Sequence, residues 1–220
     1  MSQLESGGGA LEAAGFVLAG GESRRMGTDK ALVELDGEPL IRHALAILRE
    51  AGLQAAIAGA RSDLSAFGPV VKDGGFGPLG GICAALESTP APYGVFLSVD
   101  MPLVPPALVS FLLGRARRTN PEIVLVSANG FPQPFPVVLH RDALTEFRSQ
   151  MSTGQTGCLS AFRAAAERTG RPLQVLAVED LVQAGQIEDP RRLPPAYWFL
   201  NVNTPDDLAR AQSLLSRAVA

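Results

Sequence analysis

A short segment near the start of the sequence has the residue types that bind phosphate groups. Residues 18–30 (LAGGESRRMGTDK) overlap the end of an apolar run at 15–19 (GFVLA). Glycines let backbone N–H groups approach anionic oxygens closely, and arginine side chains bind phosphate with two parallel hydrogen bonds. Because ligands of open α/β sheets lie at the carboxyl ends of strands, the position also fits a phosphate-binding loop. The residues concerned are Gly20, Gly21, Arg24, Arg25, Gly27 and Lys30.

Two common phosphate-binding loops do not match this segment. A Walker A loop ends in Gly-Lys-Ser/Thr, whereas Gly27 is followed by Thr-Asp-Lys. A dinucleotide-binding loop requires Gly-x-Gly-x-x-Gly, which Gly20 and Gly21 do not supply. A surface turn with solvated basic side chains is the structural alternative. The combination of glycines and cations directly after an apolar run favours a phosphate site over that turn.

An acidic residue closes the most apolar strand that the sequence predicts. The run 94–99 (GVFLSV) is typical of a buried strand, and Asp100 follows it. If this strand and the first one are neighbours in a parallel sheet, Asp100 lies at the same sheet edge as the loop. A reaction on a triphosphate requires Mg²⁺, which prefers one or two carboxylates together with phosphate oxygens and water. We therefore predict that Asp100 binds Mg²⁺, with capping of the next helix as the structural alternative.

Strand and helix patterns alternate along the chain. This order predicts one three-layer α/β/α domain over 15–220, preceded by a flexible tail over 1–14. Short apolar runs bounded by glycine, proline or aspartate predict strands at 15–19, 54–58, 69–72, 94–99, 122–127, 136–140 and 173–178, and 197–202 is predicted to be extended. Amphipathic stretches predict helices at 39–51, 78–88, 107–118, 142–150, 159–169 and 204–217.

Composition and charge argue against several classes of protein. Hydrophobic residues make up 46% of the 220 residues, and the formal net charge of −3 gives no reason to expect a nucleic-acid or anionic-membrane surface. Cys83 and Cys158 are far apart, which disfavours a disulfide framework or a zinc site. No apolar run approaches the ~20 residues of a transmembrane helix, and residues 1–14 lack the features of a signal peptide. We therefore expect a cytoplasmic protein.

The glycine- and arginine-rich segment resembles a known signature. Residues 18–32 are similar to Leu-Ala-Gly-Gly-x-Ser-x-Arg-Met-Gly-x-Asp-Lys-x-Leu, the pattern of the molybdenum cofactor guanylyltransferases. These enzymes belong to the nucleoside-triphosphate transferase superfamily, and the resemblance implies a Rossmann-like, mostly parallel sheet of the nucleotide-diphospho-sugar transferase type. It also implies that the triphosphate is bound by Leu18, Ala19, Gly20, Gly21 and Lys30.

Three further segments match the same family. Asp73 precedes Gly-Pro-Leu-Gly-Gly, and the family has an aspartate of the nucleotide site before this motif, so the resemblance assigns Asp73, Gly80 and Gly81 to the nucleotide. Asp100 lies in an Asp-x-Pro that carries the family's metal-binding aspartate. Residues 201–208 match the family's Asn-x-Asn-Thr-Pro-x-Asp-Leu, which places Asn201 or Asn203 on the pterin side, although a helix start alone also explains them.

The sequence departs from the family pattern at two places. After the strand at 54–58, many members have an asparagine where this chain reads Ala58-Gly-Ala-Arg61. Members often have His-Pro near 133–136, where this chain reads Gln-Pro-Phe-Pro. The first departure concerns a ribose or base contact, and the second concerns the acceptor substrate.

The resemblance implies guanylyl transfer. GMP would pass from GTP to the phosphate of molybdopterin or molybdenum cofactor, giving molybdopterin guanine dinucleotide and pyrophosphate. Arg24, Arg25, Lys30 and Asp100, with Mg²⁺, are the predicted catalytic groups. Molybdoenzymes or cofactor chaperones are predicted as transient partners. The alternatives are a cytidylyltransferase or another small-phosphate nucleotidyltransferase, and a non-catalytic nucleotide-binding homologue.

Overall fold

A mixed, mostly parallel β-sheet forms the centre of the protein. The computed structural model describes residues 12–20 and 29–218. Within these residues the main sheet has the strand order β5-β4-β1-β6-β8-β7-β9, and only β8 runs antiparallel to its neighbours. Its strands are β1 (Ala13–Leu18), β4 (Ala55–Ala58), β5 (Val70–Val71), β6 (Tyr93–Ser98), β7 (Ile123–Ala128), β8 (Phe131–His140) and β9 (Leu173–Ala177). Two short strands, β2 (Glu34–Leu35) and β3 (Glu38–Pro39), form a separate hairpin.

Helices cover both faces of this sheet. The connection from β1 to β4 runs in one direction along the sheet, and the connection from β5 to β6 runs in the other. Because such crossovers are right-handed, the first helices of these connections lie on opposite faces. No helix of the described residues is long and apolar enough to span a membrane. The helices are α1 (Leu40–Glu50), α2 (Gly77–Glu87), α3 (Pro106–Thr119), α4 (Leu144–Ser152), α5 (Cys158–Thr169), α6 (Val178–Gln183), α7 (Pro195–Trp198) and α8 (Pro205–Ala218).

The central strands are apolar on both sides because helices cover both faces. Val17, Val95 and Leu97 are fully buried, and the rings of Phe16 and Phe96 stack at 5.4 Å between neighbouring strands. This environment explains why β1 and β6 are continuous apolar runs and do not alternate with polar residues. The predicted three-layer α/β/α fold with a mostly parallel sheet is confirmed.

Several sequence predictions about the elements are wrong in detail. β1 begins at Ala13, so the predicted boundary between tail and domain lies inside a strand. β8 begins at Phe131 and not at Pro136, because a turn with positive φ at Asn129 and Gly130 pairs it with β7 early. The short helix α6, which follows β9, was not predicted.

The segment 197–202, which was predicted to be extended, is helical at its start. It begins within helix α7, and the Trp198 side chain is 1% exposed with its Nε1–H donating to the Leu193 carbonyl at 2.9 Å. Two prolines, Pro194 and Pro195, fit the first turn of this helix. An aromatic run typical of a strand therefore begins in a turn of helix, in which the indole is buried with its N–H paired.

Candidate active site at the carboxyl edge of the sheet

The ends of β1 and β6 bring two predicted site segments together. The two strands are parallel neighbours with Leu18 opposite Ser98, and the Val99 N–H donates to the Leu18 carbonyl at 3.1 Å. Asp100 therefore leaves the sheet at the edge where the glycine-rich segment begins. The expected juxtaposition of Asp100 and this segment is confirmed.

Lys30 lies at the centre of a polar cluster on this edge. It opens a short 3-10 helix (Lys30–Leu32), and its Nζ donates to Asp100 Oδ2 at 2.6 Å and also closely contacts Asn203 Oδ1. The second Asp100 oxygen, Oδ1, accepts from the Ser98 hydroxyl at 2.5 Å. The side chains of Lys30 and Asp100 are only 19% and 14% exposed. The charged pair is thus largely shielded from water. Ionic contacts are stronger in such a shielded place than at the exposed surface.

The start of α8 places Asn203 in the cluster. The Val202 N–H donates to the Asp100 carbonyl at 2.8 Å, which ties this segment to the end of β6. Thr204 and Asp207 form a reciprocal helix cap, in which Asp207 Oδ2 accepts from the Thr204 N–H at 2.9 Å and the Asp207 N–H donates to Thr204 Oγ1 at 3.2 Å. The hydrogen bond from the Thr204 hydroxyl, with the backbone bonds, lowers the pKa of Asp207. The Asn201 amide donates to the Phe199 carbonyl at 3.2 Å, so only Asn203 of the two asparagines reaches Lys30.

A narrow cleft opens between the end of β1 and the start of α2. Its walls include Leu18, Gly20, Ala58, Asp73, Gly81 and Ser98. A Cβ at Gly81 would lie 3.2 Å from Leu18 Cδ2 and 3.4 Å from Asp73 Oδ2, so glycine here keeps the cleft open. A Cβ at Gly80 would instead lie 3.0 Å from the Cβ of Phe76, so packing of the first turn of α2 against the residue before the helix explains this glycine.

Asp73 combines two roles at this cleft. Its Oδ1 accepts from the Gly75 N–H at 3.1 Å, which is the turn-forming role expected of an aspartate before two glycines. Its other oxygen lies toward Gly81 on the wall of the cleft. The structure therefore brings Leu18, Gly20, Asp73 and Gly81 together around one opening, and the Ala19 N–H joins β1 to the Ala58 carbonyl at 3.1 Å.

An ion pair that the sequence did not predict lies beside Lys30. Arg61, in the loop after β4, donates from Nη1 to Asp29 Oδ1 at 3.0 Å and from Nη2 to Asp29 Oδ2, and it also binds Asp63. Asp63 and then Asp29 hold the pKa of the Arg61 guanidinium above its usual value, and Arg61 lowers the pKa of Asp63. Arg61 stood out in the sequence only as part of a departure from the family pattern. No local signal connects it with Asp29, from which it is separated by 32 residues.

Comparison with known families agrees with this geometry. The MobA-like NTP transferase domain matches residues 15–175, which include β1 from Gly15 onward, the Lys30 turn, the α2 cleft and Asp100. The chain belongs to the MobA-like NTP transferase family.

Named relatives and solved structures resemble this family member over nearly its whole length. It is 34% identical over 219 residues to the molybdenum cofactor guanylyltransferase of Rhizobium leguminosarum bv. trifolii, covering 94% of this chain and 95% of that protein. The molybdopterin-guanine dinucleotide biosynthesis protein A of Archaeoglobus fulgidus is 25% identical with a TM-score of 0.72, covering 92% of this chain and 98% of that one. Rv0371c of Mycobacterium tuberculosis, whose structure is a complex with manganese, is 21% identical with a TM-score of 0.62, covering 92% and 98% respectively, and shares the fold.

The side chains at the sheet edge of this family member suit a cation whose other ligands come from a nucleotide. Among residues 12–20 and 29–218, no group of three or more His, Cys, Asp and Glu side chains could hold a metal ion by itself. Asp100 supplies one carboxylate at the sheet edge. One carboxylate together with phosphate oxygens and water is a normal set for Mg²⁺. Asp100 therefore fits the predicted magnesium site.

Three predicted site residues of this family member lie outside the described part of the chain. Gly21, Arg24 and Arg25 fall within 21–28. Their assignment to the phosphates stays a prediction from the sequence.

Proposed function

We propose that this chain transfers GMP from GTP to the terminal phosphate of molybdopterin or molybdenum cofactor, forming molybdopterin guanine dinucleotide and releasing pyrophosphate. The observation that carries the proposal is the contact, where β1 meets β6, between Asp100 and Lys30 of the segment that resembles the family signature. The name of the 34% identical relative gives the nucleotide and the acceptor.

The reaction joins two groups that are already anionic. An oxygen of the acceptor phosphate attacks the α-phosphorus of GTP, a new P–O bond forms, and the bond to pyrophosphate breaks. Because the nucleophile needs no deprotonation, the site requires no histidine or cysteine base. The main obstacle is repulsion between anions, which preorganised positive charge reduces.

The described side chains can supply part of that charge and fix its position. Lys30 is held from two sides by Asp100 and Asn203, so its ammonium group has a defined place at the sheet edge. We assign Asp100 to hold Mg²⁺, which when bound supplies charge neutralisation and orientation of the phosphates. Arg24 and Arg25 are assigned to the same phosphates from the sequence pattern.

The cleft beside β1 is the proposed place of the nucleoside. Leu18, Ala19, Gly20 and Gly21 would present backbone groups to the triphosphate. Asp73 and Gly81 line the opening to which we assign the base or ribose, and Gly80 packs against Phe76 in the first turn of α2. We assign Asn203 a role in the site through its contact with Lys30. Asn201 is assigned to the neighbouring acceptor side. A cytoplasmic setting and transient contacts with molybdoenzymes or cofactor chaperones stay predictions.

The test is a comparison of nucleotides with a molybdopterin acceptor. We expect pyrophosphate release that requires both GTP and the acceptor, and that falls sharply when CTP replaces GTP. Faster release from CTP would indicate a cytidylyltransferase. Nucleotide binding without pyrophosphate release would indicate a non-catalytic homologue. Removal of divalent metal by chelation should stop release, and its restoration by Mg²⁺ tests the assignment of the cation.

A further inference from the structure

Arg61 connects the loop after β4 with the turn that carries Lys30. Its guanidinium binds Asp29 with two hydrogen bonds, one from each terminal nitrogen. Asp29 Oδ1 at the same time accepts from the Ala31 N–H at 3.0 Å, so this carboxylate caps the 3-10 helix that begins at Lys30. Arg61 thus binds the residue directly before Lys30, whose ammonium group contacts Asp100.

We propose that Arg61 is a positioning residue for Lys30, acting through the Asp29 carboxylate; this rests on the proposed function, in which Lys30 binds the triphosphate. A planar guanidinium that forms two parallel bonds to a carboxylate fixes both its distance and its orientation. Because Asp29 in turn fixes the Ala31 N–H, the backbone on both sides of Lys30 is held. The long Lys30 side chain then starts from a defined point.

The contacts of Arg61 do not favour direct binding of phosphate. Four hydrogen bonds run from its nitrogens to the oxygens of Asp29 and Asp63. A guanidinium has five N–H donors, so most of its donors are already used. Two carboxylates also outweigh its single positive charge. The pair with Asp29 therefore orders the protein and leaves no net cation for a substrate.

The loop that carries Arg61 also contacts the other end of the glycine-rich segment. A Cβ at Gly59, whose φ is +148°, would lie 3.2 Å from the Gly20 backbone nitrogen. The backbone N–H of Arg61 donates to the Gly59 carbonyl at 2.8 Å, and the backbone N–H of Gly59 donates to the Val71 carbonyl at 3.0 Å. The loop after β4 is thereby anchored to β5 and touches Gly20 on one side and Asp29 on the other. It therefore contacts two described residues of the glycine-rich segment, Gly20 by packing and Asp29 by hydrogen bonds.

The test is a double-mutant cycle between Arg61 and Lys30, read out as nucleotide affinity by calorimetry. We expect Arg61→Ala to weaken GTP binding by about tenfold, in the range of a lost hydrogen bond to a charged group. In a Lys30→Ala background the same change should have little further effect, since Arg61 would act only through Lys30. Arg61→Lys, which keeps the charge but not the planar fork, should bind with an intermediate affinity.

Asp63→Asn is the matched control. Asp63 binds the same guanidinium but makes no hydrogen bond to the Lys30 turn, so this variant should stay within about twofold of the wild type. Additive losses in the cycle, or unchanged affinity of Arg61→Ala, would overturn the positioning role. If Arg61→Ala does not fold, Asp29→Asn takes its place in the cycle. Failure of the proposed function is visible separately, because the wild type would then bind no nucleotide or Lys30→Ala alone would change nothing.

Discussion

Replacement of Asp100 by asparagine separates the chemical role of this residue from its structural role. In the structure Asp100 Oδ2 accepts from Lys30 and Oδ1 accepts from the Ser98 hydroxyl. Asparagine has the same shape, and its amide oxygen can face Lys30. Its NH₂ group can face Ser98, because a hydroxyl can accept as well as donate. The geometry of the cluster can therefore survive the loss of the charge.

The expected effects on stability and on activity differ greatly. Exchange of a charge-assisted hydrogen bond for a neutral one costs about 1–1.5 kcal/mol of unfolding free energy, because a bond to a charged group contributes more. For a chain of 220 residues, each kcal/mol corresponds to about 2–4 °C in melting temperature. Loss of a preorganised electrostatic group costs about 2.7–4 kcal/mol in the transition state. Asp100→Asn should thus reduce kcat about 10²- to 10³-fold while the protein stays folded.

Pyrophosphate release and urea unfolding, measured on the same preparation, test this expectation. Ser98→Ala is the control, because it removes the other hydrogen bond of Asp100 without changing its charge. We expect it to reduce kcat less than Asp100→Asn does, because the carboxylate keeps its charge and its contact with Lys30. If Asp100→Asn turns over GTP as fast as the Ser98→Ala control, Asp100 has no metal or electrostatic role. If it loses its fold together with its activity, the separation of the two roles is wrong.

Three further results are expected. Lys30→Ala should weaken GTP binding by about 10- to 150-fold in calorimetry, because a cation that meets the phosphates is lost, and equal affinity would contradict that assignment. Asn203→Ala should reduce kcat/KM more than Asn201→Ala does, since of the two only Asn203 contacts Lys30, and the reverse order would contradict the role of Asn203 through Lys30. Glu122 is fully buried, and its carboxylate oxygens have no hydrogen-bond partner among the described residues. Burial raises the pKa of Glu122 above its ordinary value. The protonated form therefore favours the folded state, and this contribution to stability is lost as pH rises. The difference in unfolding free energy between Glu122→Gln and the wild type, measured by urea titration, should therefore shift by about 1–3 kcal/mol in favour of the variant from acid to neutral pH. A difference that does not change with pH would contradict this expectation.

Local patterns predicted most of the helices and strands because their physical causes are local. The continuous apolar runs of β1 and β6 reflect burial on both faces, and the alternation with helical stretches reflects the crossovers of a parallel sheet. The start of α8 was likewise predicted from the sequence, and in the structure Thr204 and Asp207 form a reciprocal cap there.

The missed elements depend on contacts that local patterns do not contain. The aromatic segment around Trp198 is helical because the indole N–H reaches the Leu193 carbonyl inside the core. The early start of β8 depends on its pairing with β7 through the turn at Asn129 and Gly130. In both cases tertiary contacts override the preference of the residues themselves.

The sequence by itself determined the chemistry at the end of the first strand and the family to which the chain belongs. Glycines and cations in 18–30 and an aspartate after the strand at 94–99 indicate nucleotidyl transfer, because residue types and short spacings carry that information. Only the tertiary structure decided which side chains meet. Lys30 and Asn203 are 173 residues apart, and Arg61 reaches Asp29 from another strand's loop. Such pairs are set by how the strands are ordered in the sheet, which no local pattern specifies.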